Sequence, residues 1–143
     1  MRERPIVAGL VSGQALPRMF QIRQKFKRER ILPEEIPAAI ENLLREEKFS
    51  SQIKPGMQIA ITAGSRGIAN VALITKCIAG FVKKMGAHPF VVPAMGSHGG
   101  ATAEGQAAIL HSYGITEEYI GCPIYSSMEV KKIGVNEEGM DVY

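Results

Sequence analysis

The sequence contains few cysteines and no long apolar run, and each shortage excludes a class of protein. Its two cysteines, Cys77 and Cys122, form neither a CxxC pair nor a zinc-ligand pattern, which excludes a CxxC redox motif and a cysteine zinc site. We expect both to be small buried residues in a reducing compartment. The apolar stretches 59–61 and 90–95 are far shorter than the roughly 18 residues of a membrane span, so an integral membrane protein is excluded.

The N-terminus also lacks the features of an export signal. Its first residues are basic, but the apolar stretch 6–11 is interrupted by Gly9 and is shorter than the core of a signal peptide. We therefore expect a cytoplasmic protein that does not bind membranes.

Positive charge is concentrated at the start of the chain. Residues 1–30 hold eight Lys and Arg against two Glu, whereas the remaining residues hold nine basic against twelve acidic side chains. The overall net charge is only +3, and the basic segment lacks recognition motifs, so we expect no nucleic-acid partner. The basic segment is either a solvated face or an arm that faces an anion or a partner protein.

Two segments at the start of the chain show opposite periodicities. Residues 16–28 partly alternate, with Phe20, Ile22 and Phe26 on one side, which predicts a strand with one wet, basic face. A helical pattern follows and should begin near Glu34 or Glu35, because the nearby proline at position 37 is tolerated only in a first turn. The predicted organisation is a basic arm or strand over residues 1–30 and an α/β core over residues 31–143.

The middle of the chain predicts two successive strand–loop–helix units. Their order is strand 57–62, glycine-rich loop 64–67, helix 68–85, strand 89–94, glycine-rich loop 96–100 and helix 102–113, with Thr102 as the candidate N-cap of the last helix. This order indicates the α/β fold class, with a Rossmann-like βαβα unit of parallel strands. Ligands of open α/β sheets bind beyond the carboxyl ends of the strands, where both loops lie.

The end of the sequence predicts shorter elements. We expect a helical turn at 116–120, a strand within 124–135 and a hairpin turn at 136–139. Residues 140–143 are typical of the opening of a further strand, and the chain ends there abruptly. We therefore expect an N-terminal portion of a two-domain protein whose C-terminal domain is absent from this chain.

The first glycine-rich loop is made of Gly64, Ser65, Arg66 and Gly67 and runs into a helix. Free N–H groups at a helix start attract anions, and a guanidinium holds a carboxylate or phosphate through two hydrogen bonds. These residues are therefore candidates for binding a substrate or cofactor. The alternative is an ordinary tight turn with the arginine in solvent.

The second loop presents His98 between small residues that are also candidates for binding a substrate or cofactor: Gly96, Ser97, Gly99 and Gly100. A histidine without an apolar neighbour to pack on is suited to general acid–base catalysis or metal ligation, because it titrates near neutral pH. The alternative is a loop histidine that bonds nearby backbone. For the other two histidines, at the start of a strand (position 88) and near a helix end (position 111), we expect structural roles.

Three segments of the sequence resemble the N-terminal domain of the nickel-dependent lactate racemase family. They are Thr-Ala-Gly-Ser-Arg-Gly-Ile-Ala-Asn at 62–70, Pro-Ala-Met-Gly-Ser-His-Gly-Gly-Ala-Thr at 93–102 and Ser-Tyr-Gly at 112–114. The likeness is good over roughly residues 55–125. It implies a two-domain isomerase that uses a nickel pincer nucleotide to invert a small 2-hydroxy acid through a flat 2-keto acid.

The resemblance also implies roles for residues of both loops. His98 matches the family's second-loop catalytic acid/base, Arg66 its anion-holding arginine, and Ser65 a small hydroxyl residue beside that arginine. The family's Asp-His pair is replaced by Ala63 and Gly64, and its Arg-Pro pair by two glycines after the histidine, which suggests a substrate other than lactate. The lysine that tethers the cofactor, the nickel-binding histidine and the second catalytic histidine lie beyond position 143, so no metal ligand is assigned here.

Two functions of different classes therefore remain open. The leading hypothesis is the N-terminal catalytic segment of a 2-hydroxy acid racemase or epimerase, active only with the missing C-terminal domain or a complementing chain. The alternative is a non-catalytic α/β module that binds a nucleotide or another anion. Self-association into a homo-oligomer is compatible with either.

Overall fold

The computed structural model describes residues 9, 12–13, 15, 18–26 and 30–143. The chain divides into two units, Met1–Arg30 and Ile31–Tyr143. The two units are described separately below.

The described part of the first unit does not contain the predicted strand. Residues 18–26 adopt no regular secondary structure, and the remaining predicted strand positions lie outside the described residues. Met19 and Phe20, which the alternation assigns to opposite faces, are 90% and 83% exposed. The prediction was wrong here because alternation sets which face a side chain takes but supplies no neighbouring strand to satisfy the backbone.

The second unit opens with a helix at the predicted place. A 3-10 turn over Pro33–Glu35 leads into helix α1, Ile36–Leu44, with Pro37 in its first turn. A one-turn helix, α2, follows at Glu47–Ser50. Glu41 of α1 accepts hydrogen bonds from Arg45 and Lys84, and these bonds lower the pKa of its carboxyl group.

The central part of the second unit is the predicted βαβα succession. Its elements are β1 Gln58–Ala63, α3 Val71–Lys84, β2 His88–Pro93, α4 Ala103–Ser112 and the short helix α5 Glu117–Ile120. Strands β1 and β2 are parallel, with Ile61 opposite Val91. The chain therefore has a mixed α/β fold with a two-stranded parallel sheet and helices.

Helix α3 begins three residues later than the apolar pattern predicted. The residue before it, Asn70, has a φ of 60°, in the left-handed region. A residue in that conformation cannot continue a right-handed helix, so the first loop extends to position 70. The asparagine type is one of the few that tolerate this conformation.

The core lies between the sheet and its helices. Val91, Leu110 and Ile115 are completely buried, and Ala79 on α3 is buried against the same cluster. Cys122 is also buried, as predicted, whereas Cys77 is only partly buried. Burial raises the thiol pKa of both cysteines, neither of which forms a disulfide.

Strand β2 has a second neighbour, but only at one point. Val91 N–H donates to Pro123 O, and Tyr125 N–H donates to Val91 O, which forms an isolated parallel bridge between Val91 and Ile124. The residues at positions 89 and 93 that share this side of β2 are prolines and have no N–H to donate. The predicted strand within 124–135 is therefore reduced to that bridge and the two-residue strand β3, Gly134–Val135.

The chain ends in a small antiparallel hairpin, as predicted. Strand β3 pairs with β4, Asp141–Val142. The turn between them is held by Asn136, whose Oδ1 accepts from the backbone N–H groups of Glu138 and Met140. No helix in the described part of the chain combines the length and the apolar character that crossing a membrane requires.

We expect Leu110→Ala to reduce the free energy of unfolding by about 2–5 kcal/mol, because it leaves a cavity in a fully buried position. Chemical denaturation followed by circular dichroism measures the change. Leu43→Ala is the matched control, because Leu43 is 54% exposed, and it should alter stability by no more than about 0.5 kcal/mol. Equal losses in both variants would contradict this account of the core.

Candidate functional site

The candidate site lies at the carboxyl edge of the parallel strand pair. The first loop, residues 64–70, follows β1, and the second loop, residues 94–102, follows β2. Both strands run in the same direction, so the two loops leave the sheet side by side. The ladder continues one bond beyond the strands, since Ala94 N–H donates to Ala63 O at 2.7 Å.

The structure brings together one side chain from each loop. Ser65 Oγ lies 2.5 Å from His98 Nδ1, a hydrogen bond between residues 33 positions apart. Ser65 is partly buried, whereas His98 is exposed. The histidine is therefore presented to solvent with one ring nitrogen occupied by a serine hydroxyl.

Tyr113 holds the first loop through a hydrogen bond to its backbone. It is the residue directly after α4, and its hydroxyl donates to the backbone oxygen of Ser65 at 2.5 Å. Its ring also lies beside Gly67, where a Cβ would come within 3.8 Å of Tyr113 Cε1. The sequence indicated only a helix terminus at Tyr113, since a contact across 48 positions has no local signal.

Gln106 fixes the second loop. It lies in the first half of α4 and is only 6% exposed. Its Nε2 donates to Gly96 O at 2.7 Å and, more weakly, to His98 O at 3.4 Å. Sequence reasoning missed this residue, although an amide side chain on the core-facing side of a helix was a signal that could have found it.

The backbone of the second loop needs glycine at one position for two reasons. Gly99 has a φ of +65°, and a Cβ there would lie 2.5 Å from Gly105 C and 2.6 Å from Gln106 N. Close contact between the loop and the start of α4 therefore requires a residue without a side chain. Thr102 then caps α4, as predicted, by accepting a hydrogen bond from Gly105 N–H at 3.0 Å.

The other predicted site residues lie in the loops without joining the Ser65–His98 pair. Arg66 is exposed and has no hydrogen bond or ion pair with any residue that the structure describes, and the Ser97 side chain is likewise exposed. The glycines at positions 64, 67, 96 and 100 contribute backbone only. His88 opens β2 at the opposite edge of the sheet, and His111 lies in the last turn of α4, so neither belongs to the site.

The loops carry a positive charge and no acidic side chain. Arg66 is the only Lys, Arg, Asp or Glu within residues 64–70 and 94–102, and the nearest acidic residue in sequence is Glu104 in the first turn of α4. An anion therefore suits this edge better than a cation. Within residues 30–143 and the shorter described segments, no three His, Cys, Asp or Glu side chains are grouped as metal ligands. The residues of the two loops thus fit the anionic parts of a substrate or nucleotide, and the described residues offer no ligand group for a nickel ion.

A separate apolar cavity of about 420 Å³ lies between β1 and the helices α1, α2 and α3. Its lining includes Leu44, Phe49, Ile59 and Val82 and contains no charged side chain. An anionic ligand would find no cationic side chain there, so we do not place the candidate site in it.

Comparison with known proteins finds no relative that could inform the candidate site. No protein-family model, no curated protein and no solved structure matches the chain. The site is therefore defined by its own residues and contacts.

We expect Gly99→Ala to destabilise the protein more than Gly100→Ala does. Both residues have positive φ, so both variants carry a backbone cost of roughly 1–2 kcal/mol. A methyl group at position 99 is also forced into the α4 backbone, which should add about 1–3 kcal/mol, whereas a Cβ at position 100 would have no atom within 4 Å. Urea denaturation of both variants measures the difference, and equal stability would contradict the close loop–helix contact.

Proposed function

We propose that this chain is the N-terminal catalytic segment of a cytoplasmic 2-hydroxy acid racemase or epimerase of the lactate racemase type, with a Rossmann-like fold. The observation that carries the proposal is the hydrogen bond between Ser65 Oγ and His98 Nδ1 at the carboxyl edge of the strands. An imidazole that is exposed to solvent and hydrogen-bonded to a residue of the other loop is suited to removing a proton from an alcohol. The sequence likeness of both loops to that family supports the same conclusion.

In this proposal His98 is the acid/base. It takes the proton of the substrate hydroxyl group and returns it after inversion, because an imidazole both accepts and donates a proton near neutral pH. Arg66 holds the substrate carboxylate, since its exposed guanidinium has no partner among the described residues. The backbone N–H groups of the two glycine-rich loops add further donors to an anion at this edge.

The likeness to the family also implies a cofactor. When bound, a nickel pincer nucleotide supplies hydride acceptance and return at C2 of a hydroxy acid. By the same likeness, its tether and nickel ligands are expected in a C-terminal domain or a complementing chain, and the described residues form no metal-ligand group. The residues of this chain are assigned only to binding the anion and moving the hydroxyl proton.

The proposal predicts that His98→Ala lowers the rate of stereochemical inversion by roughly 10²–10⁴-fold, the usual contribution of general acid–base catalysis. The assay uses the chain joined to, or mixed with, the cofactor-bearing domain, and follows a panel of 2-hydroxy acids by chiral chromatography. His111→Ala is the matched control, because it removes an exposed histidine of α4 outside the site. Unchanged turnover in His98→Ala would refute the catalytic role.

A second candidate function is a non-catalytic module that binds a nucleotide or another anion. It is favoured by the position of Arg66 at the carboxyl edge, without a partner among the described residues, which suits an anion whether or not chemistry follows. Under this function no hydroxy acid would be inverted, even with the cofactor-bearing domain present.

Isothermal titration with nicotinate mononucleotide and adenosine monophosphate tests whether the chain binds such anions. We expect Arg66→Ala to weaken binding by roughly 10–100-fold, because a hydrogen bond to a charged group contributes about 1.5–3 kcal/mol. Lys54→Ala removes an exposed cation before the amino end of β1 and should leave binding unchanged. No heat of binding at millimolar ligand would argue against an anion-binding module.

A further inference from the structure

The two nitrogens of the His98 ring have different surroundings. Nδ1 contacts Ser65 Oγ at 2.5 Å, whereas Nε2 has no hydrogen-bond partner in the described part of the chain, and the side chain is exposed. A ligand can therefore reach Nε2 without breaking an existing bond. The nitrogen that faces the serine is already engaged and cannot approach a second group.

Two residues of α4 and its carboxyl end hold the two loops that carry Ser65 and His98. Tyr113, at the carboxyl end of α4, bonds the backbone oxygen of Ser65 at 2.5 Å, and Gln106 bonds the backbone of the loop that carries His98. Glutamine and tyrosine are seven residues apart, close to two helical turns, so they project from the same side of α4. The serine hydroxyl and the imidazole are thus kept in register by a rigid element.

A serine hydroxyl can meet Nδ1 in two ways. Either the hydroxyl donates to an unprotonated Nδ1, or a protonated Nδ1 donates to the hydroxyl oxygen. When His98 takes a proton and becomes imidazolium, both ring nitrogens carry hydrogen. The bond in which Nδ1–H donates to the serine oxygen is then unchanged. The bond in which the serine hydroxyl donates to Nδ1 would have to exchange its donor and acceptor during proton transfer.

We propose that Ser65 is a positioning residue that keeps the proton on Nδ1 of His98, so that Nε2 is the atom that exchanges the substrate proton. During deprotonation the O–H bond of the substrate hydroxyl breaks and an Nε2–H bond forms, while Nδ1–H continues to donate to Ser65 Oγ. In the reverse step Nε2 gives the same proton back.

This inference rests on the proposed function, because proton uptake at Nε2 is what selects the arrangement with the proton on Nδ1. The tautomer itself is a property of the chain without ligand. It can therefore be measured where no racemase activity is present.

The experiment is nitrogen NMR of the 143-residue chain with ¹⁵N-labelled histidine, at alkaline pH, where exposed imidazoles are neutral. Long-range ¹H–¹⁵N correlations distinguish a ring protonated at Nδ1 from one protonated at Nε2. We expect His98 in the unaltered protein to be mainly the Nδ1–H form. In Ser65→Ala the Nδ1–H share should fall to that of the exposed His111, and in Ser65→Thr, which keeps the hydroxyl, it should be restored.

Ser51→Ala is the matched control, because it removes an exposed hydroxyl after α2, before the amino end of β1. It should leave the His98 tautomer unchanged. A predominantly Nε2–H ring in the unaltered protein would overturn the inference even if the Ser65→Ala variant failed to fold. So would a Ser65→Ala spectrum with the same tautomer share as the unaltered protein.

The outcome is separable from that of the proposed function. If the tautomer depends on Ser65 but His98→Ala still inverts hydroxy acids, the proposed catalytic role fails and the positioning role stands. If His98→Ala abolishes inversion but the tautomer ignores Ser65, only the positioning role fails. With the cofactor-bearing domain present, Ser65→Ala should lower kcat by about tenfold or more with little change in KM, because it misorients the acid/base rather than the carboxylate.

Discussion

The candidate site depends on two side-chain hydrogen bonds, donated from α4 and its carboxyl end to the backbone of the two loops. The amide of Gln106 holds the loop that carries His98, and the hydroxyl of Tyr113 holds the loop that carries Ser65. Between them on α4 lies Leu110, which is completely buried. The helix is therefore fixed in the core by the same face that supports the loops. Each bond contributes only about 1 kcal/mol, but together they determine where the serine and the histidine meet.

The parallel strand pair supplies the second constraint. The register of Ile61 opposite Val91 brings the carboxyl ends of β1 and β2 to the same edge. The backbone bond from Ala94 to Ala63 carries that alignment one residue into the loops. The separation between residues 65 and 98 along the chain is thereby closed by the sheet before any side chain is involved. The side chains then only refine a position that the backbone has already set.

The sequence was informative wherever a local pattern governs the structure, and uninformative where distant residues meet. Apolar runs and punctuating glycines predicted the strand–loop–helix succession and the cap at Thr102, because these features are determined within a few residues. The bond between Ser65 and His98 was not predictable as a contact, although both residues were identified, because no periodicity links positions in separate loops. The contact of Tyr113 was missed for the same reason, whereas Gln106 had a signal in its amide side chain on the core-facing side of a helix. Alternation over residues 18–26 misled, since a pattern of side chains does not guarantee a neighbouring strand.

The two prolines of β2 have an effect beyond the local pairing. On the side of β2 away from β1, Val91 offers the only N–H between positions 89 and 93, and that group already bonds Pro123 O. An extended segment, from this chain or from another molecule, would therefore find no further N–H donor for strand pairing on that side of β2. The prolines protect this edge of the sheet from the edge-to-edge growth that leads to aggregation. On this side the sheet can thus end at β2 without a further full strand beside it.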